Sequence, residues 1–288
     1  MKIAIASGKG GTGKTTVSVN LAAYMSSKYK IILTDLDVEE PNSSLFIDKE
    51  NYDKTIISRM VPHWNKSTCI SCGKCNEVCN FNAVIQIEAL NEVVVFPKLC
   101  HSCFACSDLC PTLSLPMGRE RVGLINHYYH KKFDLIEGVL DIGQEQAVPL
   151  IAQTIAYTDK HYSDDYIKIF DSPPGTSCPV IEAVKDSDLV LLVTEPTPFG
   201  LNDLKISVEV MRKLNQKFGV IVNRAESHLN LINDYCQIEN IPLITELPQS
   251  RKIAELYSQG KLIYRAVSQV ENEFEKISQF IEKVRSGK

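Results

Sequence analysis

The chain has 288 residues, 44% hydrophobic and 23% charged, with 31 Lys and Arg against 35 Asp and Glu for a formal net charge of -4. This balance excludes disordered and fibrous classes, supplies ample material for a core and exerts no general pull on polyanions, so neither nucleic acid nor a membrane is expected as a partner. No apolar run approaches the roughly 18 residues of a membrane span, and the opening MKIAIASGKGG has no leader-like apolar stretch, which points to the cytoplasm.

In chain order, short apolar runs alternate with amphipathic stretches, the rhythm of an α/β fold with a mostly parallel sheet and helices on both faces. KIAIAS reads as a strand, Thr15 to Lys28 as a helix and IILTDLD as the next strand, with carboxylates at its carboxyl end. Further strands are expected at YIKIFD, DLVLLVTEP, FGVIVN and IPLITEL, with helices near Val148 to His161, Cys178 to Val184, Leu201 to Gln216 and Asn230 to Ile238. Their near-continuous apolar character is that of strands covered on both faces. Between Pro62 and Met117 the rhythm stops, and this cysteine-rich stretch reads as a small inserted domain, 62–117, within a core domain made of 1–61 and 118–288. Too few apolar residues lie there for unaided folding, so bound metal is expected to stabilise it. RVGLINHYYHKKFDLIEGVLDIG then reads as a pair of strands returning the chain to the sheet. Near the end, Val270, Phe274, Ile277, Ile281 and Val284 form one apolar stripe, whose acidic and basic flanks balance, so packing on the core is expected rather than a membrane-surface helix.

Gly8 to Thr16 reads GKGGTGKTT, the GxxxxGK[ST] pattern placed between a strand and a helix. Gly8, Gly10, Gly11 and Gly13 are expected to permit backbone conformations closed to a Cβ, so that successive amides, through Thr12 and Thr16, cradle phosphate oxygens at the helix N-terminus. Lys14 would neutralise the terminal phosphates of ATP, and the Thr15 hydroxyl would coordinate Mg²⁺. Asp37 and Asp171 end strands facing the ligand crevice, Asp171 where a metal-holding carboxylate belongs.

The second lysine of the loop, Lys9, together with DLDVEEPN at 35–42 and DSPPGTSCPV at 171–180, resembles the deviant-Walker MinD/Mrp/ParA group of P-loop ATPases. That resemblance covers nearly the whole chain outside the insert. It implies an ATP-dependent homodimer in which Lys9 reaches phosphate on the partner's ATP, Asp37 positions the attacking water and Asp171 opens the second switch. Asn223 in VIVNR and Pro248 within ELPQS match positions that contact the adenine in the family.

Eight of the ten cysteines fall into two quartets, Cys69, Cys72, Cys75, Cys79 and Cys100, Cys103, Cys106, Cys110, each spaced CxxCxxCxxxC. This is the bacterial ferredoxin pattern, in which the fourth cysteine of each run ligates the other cluster. Two 4Fe-4S clusters follow, one on Cys69, Cys72, Cys75 and Cys110 and one on Cys79, Cys100, Cys103 and Cys106. Tetrahedral zinc is the competing reading, disfavoured because its ligands come as paired CxxC motifs at longer separations. Asn80 stands where the pattern expects the proline that Pro111 supplies in the second run. The combination is similar to MinD-superfamily ATPases with an inserted ferredoxin domain. The resemblance fixes the chemistry more than the physiology; the phosphate loop and the quartets together lead to the reading of ATP-gated electron transfer to an unidentified redox or cluster-accepting protein, and the alternatives are an iron-sulfur carrier and a MinD-like regulator or positioning ATPase that uses the insert for docking or sensing. Cys178 and Cys236 fall outside the quartets, and both are expected to be ordinary thiols.

Overall fold

The computed structural model describes residues 1–47, 51–225 and 230–287. A nine-stranded sheet forms the body, in the spatial order β11-β10-β9-β1-β8-β2-β7-β6-β3. Its central strands are β1 (Lys2–Ala6), β8 (Ile167–Asp171) and β2 (Ile31–Asp35), flanked by β9 (Leu189–Thr194), β10 (Phe218–Ala225) and β11 (Leu243–Pro248) on one side. On the other side stand β7 (Asp134–Leu140), β6 (Met117–Tyr128) and β3 (Tyr52–Pro62). All pairings from β11 to β7 are parallel, and the last two, β7 with β6 and β6 with β3, are antiparallel.

The strand period of two divides the apolar residues between two cores. Ile3 and Ile5 point into the core under α1 (Lys14–Met25) and α9 (Ser268–Arg285), while Ala4 and Ala6 face the core under α4 (Val148–His161), α5 (Cys178–Val184), α6 (Pro198–Lys213) and α7 (Leu231–Ile238). The expected apolar stripe at the chain end is enclosed in the first core: Val270, Phe274, Ile277 and Ile281 are each 0% exposed. α1 is buried almost all round, and its one buried amide is satisfied. Asn20 donates to the Thr16 carbonyl at 2.7 Å and accepts the backbone N–H groups of Ile263 and Tyr264 at 2.7 and 3.2 Å, fixing the stretch before α9 to the helix that follows the glycine loop.

β3 is a strand that the sequence pattern does not announce. Its first half is exposed, and as the sheet's edge strand it buries residues mainly from Ile57 onward, so no apolar run marks it. Because β3 is antiparallel to β6, and β6 to β7, β3 runs with the parallel strands and ends at their carboxyl edge. Pro62 and Met117 are register partners there. The ladder continues past them, with His63 N–H donating to the Pro116 carbonyl and Asn65 N–H to that of Ser114, both at 2.8 Å. Residues 63–116 thus hang from a hairpin tip. They hold a two-stranded antiparallel pair, β4 (Val84–Ile87) with β5 (Glu92–Val95), and two single-turn helices, α2 (Lys74–Glu77) and α3 (Ala105–Asp108). α8 (Arg251–Ser258) lies between β11 and α9.

Candidate functional site

The loop from Gly8 to Gly13 leaves β1 at the centre of the carboxyl edge, where the first turn of α1 begins. Gly11 (φ +79°) and Gly13 (φ +97°) adopt the left-handed conformation expected of them. Gly8 and Gly10 do not, which corrects the expectation that all four serve conformational freedom. Gly8 is required for space, since a Cβ would lie 2.5 Å from the Asp203 carbonyl oxygen, whereas one on Gly10 would approach only Pro174 at 3.9 Å. Lys14 Nζ donates to Ser7 Oγ at 3.0 Å, and Ser7 Oγ donates to the Lys9 carbonyl at 2.6 Å, so a buried serine binds both lysines of the loop. Burial pulls the Lys14 ammonium down from its usual range, against the pull of Asp171, Asp37 and Asp35. Thr12 and Thr16 are buried and Thr15 is half-buried. Asn223 is carried in from β10, where its amide donates to the Thr12 carbonyl at 2.8 Å. Pro248 ends β11 opposite Ala225.

Three acids gather on the other flank. Asp35 accepts the backbone N–H groups of Asp37, Asn42 and Ser43 at 3.0, 3.1 and 2.9 Å, so it ties down the loop that carries Asp37. Burial, then the Asp171 charge, holds the Asp35 carboxyl well above the usual range, although the Ser43 N–H opposes them. Asp171 is enclosed and likewise raised by burial, against the nearby hydroxyls of Thr15, Ser18 and Ser43 and the Lys14 charge, and among the described residues neither of its oxygens has a partner at hydrogen-bond geometry. Asp37 is pushed up to about 6 by burial and the Asp171 charge. A buried carboxylate with two unpartnered oxygens, facing a buried lysine, is chemically suited to a hard cation.

Two residues absent from the sequence reading complete the edge. Glu195, just beyond β9, lies 3.3 Å from Lys9 Nζ and also pairs with Arg224. Nothing in its sequence context marks it beyond its place after an apolar run.

The eight cysteines divide around two small, separate cavities. Cys69, Cys72, Cys75 and Cys110 line the first; Cys79, Cys100, Cys103 and Cys106 line the second. The two halves repeat each other in backbone detail. Ser71 and Ser102 have φ of 53° and 54°, Asn82 and Leu113 have 50° and 52°, and Gly73 at 78° is matched by Phe104 at 65°. Backbone N–H groups of Ser71, Ala83, Ser102 and Ser114 donate to the sulfurs of Cys69, Cys79, Cys100 and Cys110 at 3.2 to 3.4 Å. Burial pushes the Cys106 thiol up to about 11. Among the described residues, no group of three or more His, Cys, Asp or Glu side chains stands close enough to hold a metal ion. Arg59 on β3, 5% exposed, joins this segment to the body. It donates to the carbonyls of Pro97 at 2.9 Å and Cys100 at 3.4 Å and to Gln146 Oε1 at 2.6 Å, while Gln146 donates back to the Lys98 carbonyl at 2.9 Å. Cys178 is exposed at the start of α5, and Cys236 is buried in the second core.

No helix among the described residues is long and apolar enough to cross a membrane. The chain is 32% identical over 285 residues to the protein MJ0578 of Methanocaldococcus jannaschii, an alignment covering 98% of each. A shorter stretch of 76 residues, 25% of this chain and 24% of the other, is 38% identical to the iron-sulfur cluster transfer protein NUBPL of Dictyostelium discoideum. Among solved structures, the septum site-determining protein MinD complexed with Mg-ADP from Pyrococcus horikoshii OT3 superposes with a TM-score of 0.60 at 19% identity, covering 99% of this chain and 96% of that one. Residues 3–263 match the model of the CobQ/CobB/MinD/ParA nucleotide binding domain, and with the glycine loop, Lys14 and Asp171 at one sheet edge, the chain belongs to that family of P-loop proteins.

Proposed function

We propose that this chain is an ATPase whose ATP-dependent homodimer is coupled to two 4Fe-4S clusters, gating electron transfer to a protein partner. Its domains would be a nucleotide unit, 1–61 and 118–288, and a ferredoxin-like insert, 62–117. The observation that carries the reading is topological: the cysteine segment leaves the sheet at the edge that bears the glycine loop, Asp37 and Asp171. A movement of the Asp37 loop on nucleotide binding would reach the base of the insert through β7, whose Leu140 N–H donates to the Val38 carbonyl at 2.8 Å, and then through β6 and β3.

The quartets fit clusters better than single ions. Tetrahedral zinc would draw four sulfurs to within about 3.8 Å of one another, given Zn–S bonds of about 2.3 Å. Here each quartet surrounds a cavity, and amide donors to sulfur are the hydrogen bonds that tune such clusters. When bound, the clusters would supply one-electron chemistry. Asp171 and Thr15 would hold Mg²⁺ with ATP, and the unpartnered oxygens of Asp171 fit that charge. The rest belongs to the chain's own groups. The loop amides and Lys14 bind the phosphates, Asp37 orients the attacking water, and Lys9 brings a second positive charge from the partner subunit to the γ-phosphate.

The test is the midpoint potential and EPR signal of anaerobically reconstituted protein with Mg-ADP and then with a non-hydrolysable ATP analogue. A nucleotide-dependent shift supports coupling, and identical spectra overturn it. The partial likeness to NUBPL favours one second reading, transfer of clusters to other proteins. Retention of iron after incubation with an apo-ferredoxin acceptor would count against it.

A further inference from the structure

Glu195 holds two cations on separate oxygens. Lys9 Nζ sits 3.3 Å from Oε2 and the Arg224 guanidinium bonds Oε1, so either cation can leave without disturbing the other's contact. The backbone around all three is fixed. The Glu195 carbonyl accepts Thr197 N–H at 2.8 Å, and Gly200 packs so closely on that carbonyl that a Cβ would overlap it. Arg224 is left-handed (φ 55°) and follows Asn223, which is pinned to Thr12. The Lys9 carbonyl is held by Ser7. Both cations reach solvent, Lys9 at 36% and Arg224 at 54% exposure, around a carboxylate that is 12% exposed, and of the two Lys9 is the one carried by the glycine loop.

We infer that Glu195 is a positioning residue that keeps Lys9 on its own subunit before ATP binds, and that Arg224 is the reserve counter-ion that lets Lys9 leave. This rests on the reading above in which Lys9 acts across the dimer. Removing one partner of an ion pair is costly when it strands a charge that is largely buried, and Glu195 is the buried member here. With Arg224 still bound, Glu195 is never stranded, so the anionic phosphates of ATP compete for Lys9 against a carboxylate already neutralised. Glu195 and Arg224 therefore act on Lys9 in opposite directions: weakening Glu195 frees Lys9, and removing Arg224 tightens the hold of Glu195 on it.

The test compares wild type, Glu195→Gln and Arg224→Gln by two measurements. In nucleotide-free protein, the acylation rate of Lys9 by an amine-reactive reagent, read by mass spectrometry, should rise about threefold in Glu195→Gln and fall in Arg224→Gln, since pairing shields the amine. With Mg-ATPγS, the self-association constant from analytical ultracentrifugation should tighten about tenfold in Glu195→Gln and weaken in Arg224→Gln. Glu195→Asp should fall between wild type and Gln, while ADP affinity of the monomer checks that each variant is folded. An unchanged Lys9 rate in Glu195→Gln, or both Gln variants shifting the same way, overturns the inference. If the labelling rates move as stated but no protein associates with ATPγS, the dimer reading fails and the hold on Lys9 stands.

Discussion

Asp35 and Asp171 are register partners at the carboxyl ends of β2 and β8, both enclosed, yet one is saturated with backbone donors and the other has none. Asp35 is committed to shaping the loop that carries Asp37. Asp171 is left free for a ligand, and the nucleotide-free protein bears its cost. Its raised titration means that at neutral pH the ionised form is less favoured folded than unfolded. Asp171→Asn should therefore raise the melting temperature of nucleotide-free protein by about 2–4 °C per kcal/mol relieved, while abolishing the further rise that Mg-ADP gives the wild type. Paired thermal melts check it; a nucleotide-free variant less stable than wild type contradicts it.

Asp37, pushed up to about 6, must be ionised to orient water. The kcat/KM for ATP reports groups of the free enzyme. It should be level above pH about 7 and fall about tenfold per pH unit below 6. Asp37→Asn should remove most hydrolysis without removing ADP binding, checked by phosphate release across pH 5 to 8.

Gly13 is left-handed, and a Cβ there would run into the Asn223 amide. Gly13→Ala should distort the loop at a cost of about 1–3 kcal/mol and lose ADP binding. Lys14→Ala should weaken ATP binding by at least about a hundredfold and leave the iron content and visible absorbance of reconstituted protein unchanged. Calorimetry with iron analysis on the same samples decides both; joint loss of nucleotide and iron contradicts two separable sites.

If each quartet holds a cubane, Cys72→Ser and Cys103→Ser should each lower anaerobically bound iron from about eight atoms per chain to about four. The crossed cysteines are the sharper case. Cys110→Ser should behave like Cys72→Ser in EPR, although it belongs to the other run in sequence. Equivalence of Cys110→Ser with Cys103→Ser instead would contradict the crossed assignment.

His127 lies outside these sites in a buried network. Tyr162 donates to Asp134 at 2.7 Å, so His127 Nε2, 2.7 Å from the same hydroxyl, carries the proton, and Nδ1 accepts from Tyr157 at 3.3 Å. Burial lowers the His127 titration below 6.5. The unfolded chain thus binds a proton there before the folded one does, and the stability from this residue is lost as pH falls through about 6.5. Urea midpoints from pH 7.5 to 5.5 should decline less steeply in His127→Gln than in wild type.

The central strands and their helices are legible in the sequence because apolar run length and turn residues suffice to mark elements covered on both faces. Val148 to His161 and Cys178 to Val184 coincide with α4 and α5. The helix expected to reach Lys28 ends at Met25, since the serines that follow favour backbone capping over continuation. β3 is illegible for the opposite reason: an edge strand half in solvent needs no apolar run. Lys9 and Lys14 are marked by spacing within one loop. Glu195, Arg224 and Arg59 act through partners far away in the chain, and no local pattern records such a pairing.

The hairpin tip at Pro62 and Met117 has a consequence for how this molecule could be altered. Ladder pairing already holds the two ends of the cysteine segment side by side, so the closure entropy of that loop is met by β3 and β6 whatever the segment contains. A turn of a few residues could replace 63–116 with the same strand register on either side. Exchange of this segment for another would therefore leave the strand register and the glycine-loop edge in place, and its cost to the sheet would fall on the β3 groups that face the segment, above all Arg59, which would lose its Pro97 and Cys100 acceptors.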